Sequence, residues 1–113
     1  MKIYHNPRCS KSRKALSLIN SITSNIEIIE YLKQPLTFKE IELLLSQLNI
    51  KPAELIRMQE KEWKENYKGK EMHKNEIIQA ITIFPKLMQR PIVTNGKKAI
   101  IAIPAENILE IFN

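Results

Sequence analysis

Apolar and polar positions alternate in short blocks whose periods change along the chain. Lys2-Ile3-Tyr4-His5 is a short β-type opening, and Asn6-Pro7 ends it by biasing the chain to turn or extended geometry. From Ser10 the period becomes helical, with Ala15, Leu16, Ile19 and Ile22 on one face and Lys and Arg on the other. Ile26-Glu27-Ile28-Ile29-Glu30-Tyr31 reads as a second, mostly buried strand that stops at Gln34-Pro35. Thr37 and Glu40 have capping-box spacing ahead of Phe38, Ile41, Leu44, Leu45 and Leu48 on one helical face. Pro52 suits the first turn of a short helix with Ala53, Leu55 and Ile56. Gln59 to Tyr67 reads as helix or turn, broken by Lys68-Gly69-Lys70. Asn75 is placed to cap a helix through Ile77, Ile78, Ile81 and Phe84, closed by Pro85. Strand character returns at Arg90-Pro91-Ile92-Val93-Thr94. Asn95-Gly96 is the two-residue turn, and Ala99 to Ile103 is the partner strand. Pro104 opens a last helix with Ile108, Leu109, Ile111 and Phe112.

The order is β-α-β, a helical block, then β-β-α. That is an α/β, thioredoxin-like layout: a mixed four-stranded sheet with a helical insertion between its two halves. A single domain over 1–113 is expected, with the insertion at about 35–85. The length of 113 residues leaves no room for a second independent core.

Composition narrows the chemistry. Hydrophobic residues make up 43% and charged residues 27%, the balance of a soluble globular domain. The net charge of +6 permits anion or nucleic-acid binding. However, the lysines interleave with Glu, as in Lys61-Glu62-Trp63-Lys64-Glu65, which is the pattern of a solvated helix face. No recognition motif accompanies them, so no nucleic-acid partner is expected. One cysteine excludes an internal disulfide, and with only two His it leaves no metal site to expect. Every acid is Glu, which removes Ser-His-Asp triads. No apolar run reaches membrane-spanning length and no signal peptide opens the chain, so a cytoplasmic protein without a membrane partner is expected.

Cys9 stands directly before the first helical block, where unpaired backbone N–H groups and the helix dipole favour a thiolate. Arg8, Lys11 and Arg13 add positive charge beside it, the setting of a reactive nucleophile. Ser12 occupies the place of the second cysteine in a Cys-x-x-Cys motif. Oxidised or modified Cys9 therefore needs an outside thiol to resolve it. His5, four residues earlier, either assists ionisation of Cys9 or is a hydrogen-bonded residue at the strand end. Arg57 and Arg90 read singly as surface cations. Together with a thiolate they could hold an oxyanion bidentately. Pro91 opens the third strand, where a thioredoxin-like fold places a cis proline; the sequence leaves the isomer open.

Tyr4-His5-Asn6-Pro7-Arg8-Cys9-Ser10-Lys11-Ser12-Arg13-Lys14-Ala15-Leu16 resembles the glutaredoxin-linked arsenate reductase family, the ArsC/Spx/YffB-like group. Glu30-Tyr31-Leu32-Lys33-Gln34-Pro35, Ala53-Glu54-Leu55-Ile56-Arg57 and Gln89-Arg90-Pro91-Ile92-Val93 fit further segments of it, in order. The resemblance implies a cytoplasmic thiol enzyme that acts as a monomer without a bound cofactor. In it Cys9 attacks arsenate or a similar oxyanion, glutathione as co-substrate attacks the adduct, and glutaredoxin completes reduction to arsenite. By motif, Cys9 is the nucleophile and His5 its helper, and Arg57 and Arg90 are oxyanion ligands, with Arg8, Ser12 and Pro91 lining the substrate site. The arsenate reductases of this group carry a third Arg before the Pro of the last helix; this chain has Ile103 there, before Pro104. Two other readings share the layout: a glutathione-dependent thiol reductase without arsenate activity, and a Spx-like regulator that binds RNA polymerase.

Overall fold

Four strands of three residues each carry the sheet. The computed structural model describes residues 1–112. Its strands are β1 (Lys2–Tyr4), β2 (Glu27–Ile29), β3 (Ile92–Thr94) and β4 (Ala99–Ile101), in the spatial order β2-β1-β3-β4. Its α-helices are α1 (Ser10–Ile22), α2 (Phe38–Leu48), α3 (Lys61–Asn66), α4 (Lys74–Ile83) and α5 (Leu109–Phe112). β2 runs parallel to β1, so the chain must cross over between them, and α1 is that crossover. β3 is antiparallel to β1, and β4 to β3. This mixed sheet with its β-α-β and β-β-α halves is the expected thioredoxin-like fold.

The described chain forms two compact units: Met1–Gln34 with the chain from Arg90 onward, and Pro35–Gln89. In the first, Ile3 and Val93 are register partners and so share one face of the sheet. Ala15 and Ile19, four residues apart on α1, meet them there with Ala102, Ile108 and Ile111. Ile19 is fully buried, which contributes about 1.5–3 kcal/mol. A 3-10 turn at Ala105–Ile108 follows Pro104 and leads into α5.

In the second unit, Thr37 Oγ1 accepts from the Glu40 N–H at 3.2 Å while Glu40 Oε1 accepts from the Thr37 N–H at 2.9 Å. This reciprocal cap starts α2, and Asn49 ends it with a φ of 54°. Ile41, Leu44, Leu45 and Leu48 form its buried face. α4 packs on α2 and on 3-10 turns at Pro52–Leu55 and Pro85–Leu87. Trp63 of α3 is buried, with its ring 5.3 Å from that of Tyr67.

Three local expectations change. β2 lies at the sheet edge with Glu27 and Ile28 exposed, so it is not the mostly buried strand its Ile content suggests. α4 starts two residues earlier than expected: His73, not Asn75, is its N-cap, and Glu76 Oε1 accepts from the His73 N–H at 3.0 Å. The hairpin pairs Thr94 with Ala99, and the Asn95 N–H donates to the Lys98 carbonyl at 3.0 Å, so Gly96 and Lys97 form the tip instead of Asn95-Gly96. Gly96 takes a φ of 95° at the first tip position, a conformation glycine adopts without steric cost.

Candidate active site

The site grows from the end of β1. The His5 N–H donates to the Ile29 carbonyl at 2.8 Å, extending the pairing of β1 and β2 by one residue. The chain then turns tightly. The Cys9 N–H donates to the Asn6 carbonyl at 3.0 Å, and the Arg8 N–H donates to Asn6 Oδ1 at 3.0 Å. Asn followed by Pro favours this turn, because the Asn side chain mimics a backbone acceptor and Pro7 has a preset φ. The turn delivers Cys9 as the N-cap of α1, with extended φ and ψ of −93° and 122°. Its carbonyl accepts from the Arg13 N–H at 3.0 Å, while its side chain makes no capping bond. The thiol is partly exposed and free of any disulfide.

Ser12, one turn into α1, is fully buried. Its Oγ accepts from the Asn6 N–H at 3.0 Å and lies 2.6 Å from His5 Nδ1. These two bonds tie the end of β1, the turn and the first turn of α1 into one unit around Cys9. His5 is also buried, and burial holds its pKa below the ordinary 6.5. Glu30 opposes that lowering and Arg13 adds to it. At neutral pH His5 is therefore an uncharged imidazole, one ring nitrogen of which is engaged by Ser12. Arg13 Nη1 donates to the Pro7 carbonyl at 2.9 Å and braces the turn from the helix side.

The register of β1 and β3 brings the other end of the chain here. Tyr4 opposes Ile92, so continuing the antiparallel register sets His5 opposite Pro91 and Asn6 opposite Arg90. Pro91 is buried, the Arg90–Pro91 bond is cis, and the Pro91 carbonyl accepts from the Ala102 N–H at 2.9 Å. Arg90 Nε is buried with no hydrogen-bond partner. Arg8 is exposed at the rim of the turn. The structure thus gathers Cys9, His5, Ser12, Arg8, Pro91 and Arg90 at one end of the sheet.

Arg57 is carried by the Pro35–Gln89 unit. Its N–H donates to the Leu87 carbonyl at 2.7 Å beside an Ile56–Met88 bridge, and its guanidinium is paired with Glu60. Two residues gained roles beyond those read from the sequence. Asn6, taken only as a strand terminator, is the hub of three hydrogen bonds; Arg13, taken as nearby charge, is a brace. The Asn-Pro pair after a strand was the available signal for the first. Among the described residues no three His, Cys, Asp or Glu side chains gather as a metal site, and no helix is long and apolar enough to cross a membrane.

A single thiol at a helix N-terminus, set after the first strand of a thioredoxin-like sheet whose third strand follows a cis proline, defines the class: a monothiol protein of the thioredoxin-like fold. The ArsC family model matches residues 4–111, and the chain belongs to that family. It is 42% identical over 113 residues to the uncharacterized protein YfgD of Escherichia coli (strain K12), covering 98% of this chain and 95% of that one. It is 36% identical over 110 residues to an arsenate reductase of Neisseria meningitidis serogroup B, covering 96% and 94% of the two chains. The solved structure of an arsenate reductase from Vibrio cholerae superposes with a TM-score of 0.90 at 35% identity, over 98% of both chains.

Proposed function

We propose that this protein reduces arsenate, with Cys9 as the nucleophile and glutathione and glutaredoxin as the reducing partners. The observation that carries the reading is the placement of Cys9: a partly exposed thiol at the N-cap of α1, held by a turn that Ser12 and Asn6 lock in place. Membership of the ArsC family supplies the substrate class. Arg90 Nε, buried without a partner, is a donor that an oxyanion would satisfy. Arg8 adds charge at the rim; Arg57, in the Pro35–Gln89 unit, is paired with Glu60.

The chemistry balances as follows. The Cys9 thiolate bonds to arsenic(V) and water leaves; a glutathione thiol adds to arsenic and a second water leaves. A glutaredoxin thiolate then attacks the glutathionyl sulfur, and the S–As electron pair stays on arsenic as As(III). Hydrolysis frees arsenite and returns Cys9 as a thiol. The two electrons come from the two outside thiols, which end as a mixed disulfide. One cysteine in the chain requires such a route, because Cys9 has no internal thiol with which to form a disulfide. Neutral His5 would serve as a base for the thiol proton, Ser12 would hold the turn that carries Cys9, and Pro91 would border the substrate. A monomer in the reducing cytoplasm suits this dependence on free thiols.

The test is NADPH consumption with arsenate, glutathione, glutaredoxin and glutathione reductase. Turnover in the wild type that Cys9→Ser abolishes is expected. Turnover that survives Cys9→Ser, or none in the wild type, would overturn the reading.

A further inference from the structure

We propose that a second pocket, formed by α1 and the segment before α5, docks the charged ends of glutathione as its sulfur approaches Cys9. This rests on the thiol chemistry proposed above and locates its co-substrate. The cavity has a volume of about 370 Å³, within the range of small-molecule sites, and lies wholly in the sheet-bearing unit. Lys11 and Lys14 line one side, Glu106 lines another, and Ile103 and Pro104 form an apolar floor.

The two lysines are three residues apart on α1 and so share a face. Lys11 is two residues beyond Cys9, which is about 3 Å along the helix axis, and Lys14 is one turn further on. A further lining residue, Ala102, donates its N–H to the Pro91 carbonyl at 2.9 Å, so the pocket borders the end of the sheet that carries Cys9. Neither lysine is ion-paired among the described residues, and α1 contains no acid at all. The cations are free to receive an anion.

The lining selects among anions. A bare oxyanion has no use for an apolar floor and is repelled by Glu106. A peptide thiol with two carboxylates, one ammonium group and a methylene chain matches every part. Its carboxylates meet Lys11 and Lys14, its ammonium meets Glu106, and its methylenes lie on Ile103 and Pro104. Ile103 occupies the place of the third arginine expected from the family resemblance. The position that would have carried another anion ligand is here the apolar side of this pocket, 38% exposed.

The experiment measures thiol exchange without arsenate. The Cys9 thiolate attacks oxidised glutathione; the S–S bond breaks, a Cys9–glutathione disulfide forms, and a glutathione thiolate leaves with the electron pair. The same rate is measured with bis(2-hydroxyethyl) disulfide, which carries no charge. In the Lys11→Gln/Lys14→Gln double variant, the ratio of the glutathione rate to the hydroxyethyl rate should fall about five- to tenfold, the scale of two exposed charge contacts. The wild-type ratio should fall more steeply with added salt than the variant ratio. A ratio that stays within twofold of wild type overturns the proposal. So does an unmoved ratio accompanied by a raised KM for arsenate, which would assign the lysines to the oxyanion. Because exchange needs no arsenate, failure of arsenate turnover leaves this result to stand or fall by itself.

Discussion

Removing one hydroxyl, in Ser12→Ala, tests whether the turn around Cys9 is held as described. Ser12 has no exposed surface, and its Oγ serves the buried His5 Nδ1 and the half-buried Asn6 N–H. Alanine fills nearly the same space, so no cavity of consequence forms and the loss is polar. Leaving the His5 nitrogen without a partner costs about 1–3 kcal/mol, and the Asn6 N–H, which water can partly reach, costs about 0.5–1.5 kcal/mol. Together the loss is about 2–4 kcal/mol. With a urea m-value of about 1.5 kcal/mol/M for a small protein, the midpoint should drop by about 1.5–2.5 M. A double-mutant cycle with His5→Ala sharpens the test, because the two residues share one bond. The double variant should lose about 1 kcal/mol less than the two single losses added together. A midpoint shift below about 0.3 M, or full additivity, would refute the reasoning and assign the rigidity of the turn to Asn6 alone.

Three further outcomes are expected. Because burial lowers the His5 pKa, the unfolded chain takes up the proton first as pH falls below 6.5. The His5 contribution to stability is therefore fully present well above 6.5 and is lost as pH falls from there through the lowered native value; urea midpoints at pH 7.5 and 5.5 should show this decline, and it should be shallower in His5→Asn. Ile78→Ala, at a fully buried position of α4, should cost about 2–5 kcal/mol, read from the fluorescence of buried Trp63 in urea; a loss under 1 kcal/mol would contradict the packing described. Ile103→Arg restores a family-type cation and should lower the KM for arsenate about tenfold, the scale of one charged hydrogen bond; an unchanged KM would show that this position does not face the oxyanion.

Much of the first unit was legible because its signals are periodic or local. Ala15 and Ile19 repeat at helical spacing, and Pro7 and the first polar turn of α1 mark where Cys9 must stand. The exposure of β2 was hidden, because Ile26 to Ile29 has the apolar content of an inner strand and nothing local says it will lie at an edge. The hairpin tip moved because Asn95 Oδ1 accepts from the N–H groups of Lys97 and Lys98 at 2.9 and 2.8 Å. Those bonds draw Asn95 into the paired stem and leave Gly96 to lead the tip. The link from His5 to Ser12 joins two side chains across a turn and has no sequence period. Lys11 and Lys14 look like any solvated helix face until the segment at Ile103 closes beside them.

The register of Tyr4 with Ile92 also orders events in time. β1 is synthesised well before β3, one of its two neighbours in the sheet. β2 and α1 are close at hand in sequence; β3 must arrive across the whole Pro35–Gln89 unit, and closing so long a loop is entropically costlier than forming the hairpin of β3 and β4. Cys9 is therefore made before Arg90 and Pro91 and is surrounded only when they arrive. Until β3 docks, the thiol has its turn and its helix but not Arg90 or Pro91 beside them, so a nascent or half-folded chain carries the nucleophile without the rest of its site.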